Sequence, residues 1–186
     1  MPTISTNDLK NGWVIDLEGA LWSVVSFQHV KPGKGGAFVR TKLKNMAAGN
    51  VVDKTFRAGE KLERVLTNSK NMQYLYSDGA NLVLMDNETY EQVEVAADSV
   101  EGQDLLVPNS EVQVLFVREE PFRVELPTFV EVEVTQTDPG VKGDTVSNVM
   151  KPAVVETGAT VQVPLFINEG DRIKIDTRTR EYSARV

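Results

Sequence analysis

Few groups in this chain could do chemistry, and the most distinctive of them is an amine. Lys34 lies within Lys31-Pro32-Gly33-Lys34-Gly35-Gly36, between strand-like runs over 21–27 and 37–41. Pro32 fixes its own φ, and Gly33, Gly35 and Gly36 tolerate positive φ, so the segment reads as a hairpin tip. With glycine on both sides, Lys34 has no bulky neighbour to bury it, and its ammonium is expected to project into solvent. Such exposure argues against a Schiff-base nucleophile, whose amine needs desolvation or a nearby positive charge to lose its proton. A nucleotide-hydrolysing phosphate loop is excluded too, because Lys34 is followed by glycine and lacks the upstream glycine spacing. Taken alone, the tip could equally be a solvated turn that carries a charge.

The other reactive side chains narrow the field further. His29 is the single histidine and there is no cysteine. Thiol nucleophiles, disulfide frameworks, zinc knuckles and His-rich metal sites are thereby excluded, and a Ser-His-Asp triad would have to recruit His29 on the approach to a turn. Glu119 and Glu120 are adjacent, so a strand would point them to opposite faces and a turn would leave both in water. No dinucleotide fingerprint follows a strand. The expectation is a protein that is not an enzyme and holds neither cofactor nor metal.

Charge is distributed unevenly along the chain. The net charge is -7. Residues 1–65 carry ten Lys/Arg against six Asp/Glu, residues 66–127 three against twelve, and residues 128–186 seven against nine. A basic first piece and an acidic middle suit an oriented encounter with a polyanion at one end, although such patches are also ordinary solvated surface. No run of 18 apolar residues spans a bilayer, and residues 1–6 lack the basic and apolar stretches of a signal peptide, so a cytoplasmic, membrane-free protein is expected.

The elements that must position Lys34 read as strands throughout. Apolar runs at 13–15, 21–27, 37–43 and 51–56 are separated by turn signals about every ten residues, the rhythm of a small SH3-like barrel over 1–65. Within it, Arg40, Lys42 and Lys44 alternate and would share one strand face; they could lie along phosphates, or could keep an exposed edge strand soluble. From Met72 a second alternation begins with Tyr74 and Tyr76, and the turns at 77–80 and 86–87 build a β-meander. A short helix over 98–106 follows, with Asp98 or Ser99 as N-cap. A hairpin through 118–121 then completes a five-stranded barrel over 66–127. Pro127 reads as a hinge. The third barrel, 128–186, opens with Val130, Val132 and Val134, and the turn at 168–171 predicts a hairpin joining 161–167 to Ile173 and Ile175. Strand rhythm in both later pieces fits the oligonucleotide/oligosaccharide-binding (OB) fold, which by itself decides little about function.

Three motifs together resemble the bacterial translation elongation factor P family, related to the hypusine-bearing factor of archaea and eukaryotes. They are the Lys31 to Phe38 stretch, the segment Thr137-Asp138-Pro139-Gly140-Val141-Lys142-Gly143-Asp144-Thr145, and the run from Lys151-Pro152-Ala153 through Thr157-Gly158-Ala159 to Val163-Pro164-Leu165-Phe166. Stretches at 71–76 and 176–178 agree. Departures are Leu126 before Pro127 where many members have a second proline, Arg180 where glycine is frequent, and a bulky Asn148-Val149-Met150.

The resemblance implies an all-β protein of three barrels in tandem, an SH3-like (KOW-like) one followed by two OB-folds, in an L with the outline of tRNA. It also implies a monomeric elongation factor that binds the ribosome, both its RNA and its proteins, between the peptidyl-tRNA and exit sites when synthesis stalls at consecutive prolines. Lys34 matches the residue that contacts the CCA end of peptidyl-tRNA, and that in many bacteria a dedicated enzyme extends. Pro32, Gly33, Gly35 and Gly36 would shape its loop. Lys31, Arg40, Lys42 and Lys44 are candidates for RNA phosphates, and Gly143, Asp144 and Thr145 match the loop directed toward the small subunit. The rival reading is an RNA-binding or ribosome-assembly module with the same basic face and no role in peptide bond formation.

Overall fold

The computed structural model describes residues 2–140 and 149–186. It is built from sixteen strands in three antiparallel sheets, with only three-residue 3-10 turns as helical elements among the described residues. The chain forms two compact units, one of Met1–Asn68 with Val117–Glu120, the other of Ser69–Phe116 with Pro121–Val186.

The first sheet holds β1 (Thr3–Ser5), β2 (Val14–Leu17), β3 (Ala20–Val30), β4 (Phe38–Asn45), β5 (Val51–Arg57) and β6 (Lys61–Val65), in the order β1-β6-β2-β3-β4-β5. Period-two alternation sets its core: Val39, Thr41 and Leu43 of β4 turn inward to join Ile15, Val24, Phe56 and Leu62. Thr41 is the polar member of that row, and its hydroxyl is satisfied by the Lys54 carbonyl at 2.6 Å. Within this unit Arg118 donates from Nη2 to Asp16 Oδ2 at 2.7 Å.

In the second sheet β7 (Thr67–Ser77), β8 (Asn81–Asp86), β9 (Gln92–Ala96), β10 (Glu111–Val117) and β11 (Glu120–Glu125) run in the order β11-β10-β7-β8-β9. The third holds β12 (Phe129–Thr137), β13 (Met150–Val155), β14 (Thr160–Pro164), β15 (Arg172–Asp176) and β16 (Glu181–Arg185), in the order β14-β13-β12-β15-β16. Val130, Val132 and Val134 supply its core from the central strand β12.

Four local expectations change. The helix over 98–106 is two separate 3-10 turns, Ala97–Ser99 and Gln103–Leu105, interrupted by Gly102 at φ 76°, and neither has a side-chain N-cap. The hairpin turn at 118–121 is tighter than the sequence suggests: Arg118 and Glu119 take positive φ of 53° and 67°, and Pro121 already lies in β11, an edge strand where its missing N–H costs no ladder bond. Strand β15 does not return against β14; it pairs with β12 and β16, while β14 pairs with β13. Inward residues on both sides of a turn look alike whether their strands are neighbours or sit across the core, so alternation could not separate the two.

Pro127 is the fourth. Its carbonyl accepts the Thr177 hydroxyl at 2.7 Å, and Leu126 beside it packs against the cores of both the second and the third sheets. Leu105, fully buried, belongs to the third core although it lies on the chain between β9 and β10. Arg180 then bridges to Asp104 through two bonds of 2.8 and 2.6 Å. The segment around Pro127 is fastened on both sides rather than free to bend.

Candidate functional site

Lys34 sits on an arm of the first unit made by β3 and β4. These strands stay in register out to His29↔Val39 and Val30↔Phe38, so residues 31–37 form the tip of a long antiparallel ladder. A bulge between Val24 and Ser26 interrupts β3 nearer its base; such insertions sharpen local twist and re-aim the strand beyond them. On its other side β4 pairs with β5 up to Phe38↔Arg57, which braces the arm almost to its end.

At the tip, residues 31–36 are all exposed. Lys34 has no hydrogen-bond or ion-pair partner among the described residues. The glycines divide in their roles. Gly35 alone takes positive φ, at 109°, and so needs the freedom of glycine; Gly33 and Gly36 do not, and a Cβ at either would meet nothing within 4 Å. Three glycines in a row of six therefore look equivalent in the sequence, and backbone geometry separates them.

Arg40, Lys42 and Lys44 do share the outer face of β4, alternating with buried Val39, Thr41 and Leu43. Strand β4 lies between β3 and β5, however, so the reading of these cations as guards of an exposed edge is overturned. Across the ladder, Arg40 faces Gln28 and Thr55, Lys42 faces Ser26 and Asp53, and Lys44 faces Ser23 and Val51. The result is a cationic row bordered by amide and hydroxyl side chains, a set of donors suited to phosphate oxygens, with Asp53 the one opposing charge. Sequence inspection missed Gln28, Ser26 and Thr55, because only the register reveals who stands opposite whom. Lys31 lies exposed at the root of the tip. Lys54, by contrast, points to the other face with its ammonium 5.6 Å from the Phe56 ring, and His29 sets its ring edge-on to Phe27 at 5.5 Å.

Gly143, Asp144 and Thr145, which the resemblance directs toward the small subunit, lie outside the described residues. Of the residues flanking them, Gly140 is pressed so closely on the Leu165 carbonyl that a Cβ there would overlap it, and the buried Lys151 ammonium donates to the Asp138 carbonyl. Glu119 and Glu120 are exposed, one in the turn and one opening β11. No group of three His, Cys, Asp or Glu residues that could hold a metal occurs among the described residues, and none of their helices is long and apolar enough to cross a membrane.

A KOW-like barrel carrying a lysine-tipped arm, followed by two curled OB-like sheets, is the architecture of a translation factor. The structure of translation initiation factor 5A from Methanococcus jannaschii aligns with a TM-score of 0.53 at 25% identity, covering 66% of this chain and 93% of that one. Three sequence models match in order: the elongation factor P KOW-like domain over 5–62, its OB domain over 67–124, and its C-terminal domain over 130–185. Elongation factor P of Salinispora tropica is 56% identical over 182 residues, covering 97% of this chain and 98% of that protein. The Saccharopolyspora erythraea protein of the same name is 55% identical over 183 residues, 98% of this chain and 97% of its own. The chain belongs to the elongation factor P family.

Proposed function

We propose that this factor binds the ribosome between the peptidyl-tRNA and exit sites and stimulates peptide-bond formation, relieving stalls at consecutive prolines. One observation supports the reading above others: Lys34 stands exposed, and without a partner among the described residues, at the tip of an arm whose two strands remain paired up to Val30 and Phe38. An exposed ammonium is normally held by water alone, so what sets this one apart is its place at the end of a braced arm, where it is available to something outside the chain. Proline is a constrained donor and a poor acceptor, so a stalled complex suffers from misplaced reacting ends, and a braced probe helps by positioning. Lys34 would contact the CCA end of peptidyl-tRNA, and ribosomal RNA would remain the catalyst. Recovering about 3 kcal/mol of misalignment speeds the step roughly a hundredfold.

The remaining assignments follow from that pose. Lys31, Arg40, Lys42 and Lys44 steady RNA phosphates, Pro32 and the glycines set the tip, and Gly143, Asp144 and Thr145 reach toward the small subunit. Lys34 is the residue on which a lysine-modifying enzyme would act, and the intact mass of the protein from its native source tells an extended lysine from a bare one. The chain works as a cytoplasmic monomer with functional parts 1–65, 66–127 and 128–186, contacting ribosomal RNA, ribosomal proteins and peptidyl-tRNA. Reconstituted translation of a message with consecutive prolines tests this, using wild type, Lys34→Ala and a proline-free control. Relief by wild type alone, with the control unchanged, is the expected result. Equal relief by both proteins would remove Lys34 from the mechanism. No relief by either, even with protein from its native source, would favour an RNA-binding module whose useful part is the Arg40, Lys42 and Lys44 row.

A further inference from the structure

The cationic face of β4 breaks off at Phe38, just short of the tip, and the register shows where the charge continues. Outward positions on β4 recur every second residue, so Lys44, Lys42, Arg40 and Phe38 follow one another at steps of about 6.8 Å. The first three are charged and the fourth is a half-buried ring. Phe38 stands between Val30 of β3 and Arg57 of β5. Pairing of β4 with β5 runs without a shift from Lys44↔Val51 to Phe38↔Arg57, so Arg57 shares the outer face with Arg40. It lies two residues beyond Thr55, which opposes Arg40 directly; that diagonal is about 7–8 Å, within reach of long side chains. The row therefore continues at nearly even steps by moving one strand over. Val51, Asp53 and Thr55 carry no positive charge, so Arg57 is the cation that β5 adds to this face.

An exposed arginine is ordinary and decides nothing by itself. What distinguishes Arg57 is that the fold fastens it by its backbone alone. Its N–H donates to Glu60 Oε2 at 3.0 Å, and its carbonyl accepts the hydroxyl of fully buried Thr6 at 2.8 Å. Beside it the Ala58 N–H donates to the Ala37 carbonyl at 3.0 Å, which ties this end of β5 to the root of the tip. The exposed guanidinium has no hydrogen bond, ion pair or ring contact among the described residues. Glu60 is thus occupied by the Arg57 amide and does not neutralise its side chain. A guanidinium fixed in place yet unpaired can grip a phosphate through two parallel N–H donors, and a file of cations at regular steps on one face suits the regularly spaced charges of a nucleic-acid strand.

We infer that Arg57 binds a phosphate of the RNA strand tracked by Arg40, Lys42 and Lys44, at the point where that strand passes from β4 toward the tip; the contact rests on the ribosome binding proposed above. The test measures binding of the full-length factor to ribosomes stalled at consecutive prolines over a range of salt concentrations. Arg57→Gln should weaken binding about fivefold near physiological salt and lower the slope of log affinity against log salt by about 0.7–0.9, as Arg40→Gln does. Arg57→Lys keeps the charge and should keep the slope. Thermal unfolding of Arg57→Gln should match wild type, because only the backbone of this residue serves the fold. With p-benzoylphenylalanine in place of Thr55, which shares the outer face of β5 with Arg57, irradiation is expected to yield an adduct with RNA that nuclease removes. An adduct with protein alone, or none, would overturn the inference. So would a slope unchanged in Arg57→Gln, or one lowered equally in Arg57→Lys. A slope that falls in Arg40→Gln but not in Arg57→Gln removes this contact and leaves the proposed function standing; a wild type that does not bind ribosomes removes both.

Discussion

Lys34 and Arg180 are both cations on β-turns, and the protein treats them in opposite ways. Lys34 ends a braced arm, exposed and unpaired among the described residues. Arg180 takes the left-handed conformation at φ 61°, which disfavours a side chain, and both guanidinium ends are bound to Asp104 at 2.8 and 2.6 Å. That hydrogen-bonded pairing holds the Asp104 carboxyl below the ordinary carboxylate range and raises Arg180. The charge recruited for the fold at Arg180 is matched and satisfied; Lys34 keeps its hydration shell, which binding of the proposed partner would have to strip. The resemblance places glycine at position 180 in many relatives, so here an unfavourable backbone angle is offset by a specific tie between the second and third sheets.

The comparison is tested most strongly at Lys34. Lys34→Ala should reduce consecutive-proline synthesis by up to about a hundredfold while leaving thermal unfolding unchanged; Lys42→Ala should chiefly raise the salt sensitivity of ribosome binding. A Lys34→Ala protein that unfolds at lower temperature would show that the tip serves the fold after all.

At the fastened end the expected losses fall on stability instead. Gly140→Ala forces a methyl group into the Leu165 carbonyl, and a cost of about 1–3 kcal/mol is expected in thermal or denaturant unfolding. Leu126→Ala removes a side chain shared by two cores and should cost about 2 kcal/mol. Neither change touches the Lys34 arm.

Smaller effects sharpen the contrast within each region. Gly35→Ala should impair stall relief because φ 109° is strained for alanine, whereas Gly36→Ala should be close to silent; equal loss in both would mean that the tip adopts another shape when bound. In a double-mutant cycle, Asp104→Ala with Arg180→Ala should show a coupling of about 1 kcal/mol or less, since both side chains remain partly exposed.

Acid provides the last handle. Asp86 is lowered from 3.8 to about 2, first by its hydrogen bond from Lys70 and then by the Glu88 N–H, and Asp176 is lowered to about 2, first by Arg178. A carboxylate depressed in the folded state adds stability that is fully present above its unfolded value near pH 4 and is lost as pH falls through about 2. Asp86→Asn should therefore flatten part of the stability loss between these values in an acid titration, leaving the shares that belong to Asp176, Asp104 and Asp78, whose carboxyls are also lowered. An unchanged acid limb would show that Lys70 does not hold Asp86 in solution.

The sequence alone determined the strand-rich class, the positions of most turns and the exposed lysine, because period-two alternation and Gly/Pro punctuation are local properties that each segment carries by itself. It also carried the family, through motifs in which residue order matters. Register, sheet order and long-range fastening were decided only in three dimensions. Arg40, Lys42 and Lys44 could be read as an edge guard until β5 was seen to pair beyond them. Gly35 could not be told from Gly33 and Gly36 until φ was known. Pro127 suggested a hinge because the chemistry of one residue is local, while Leu126, Leu105 and the Arg180–Asp104 pair that immobilise its surroundings come from distant parts of the chain. Packing joins such residues according to shape and satisfied hydrogen bonds, which no single stretch of sequence encodes.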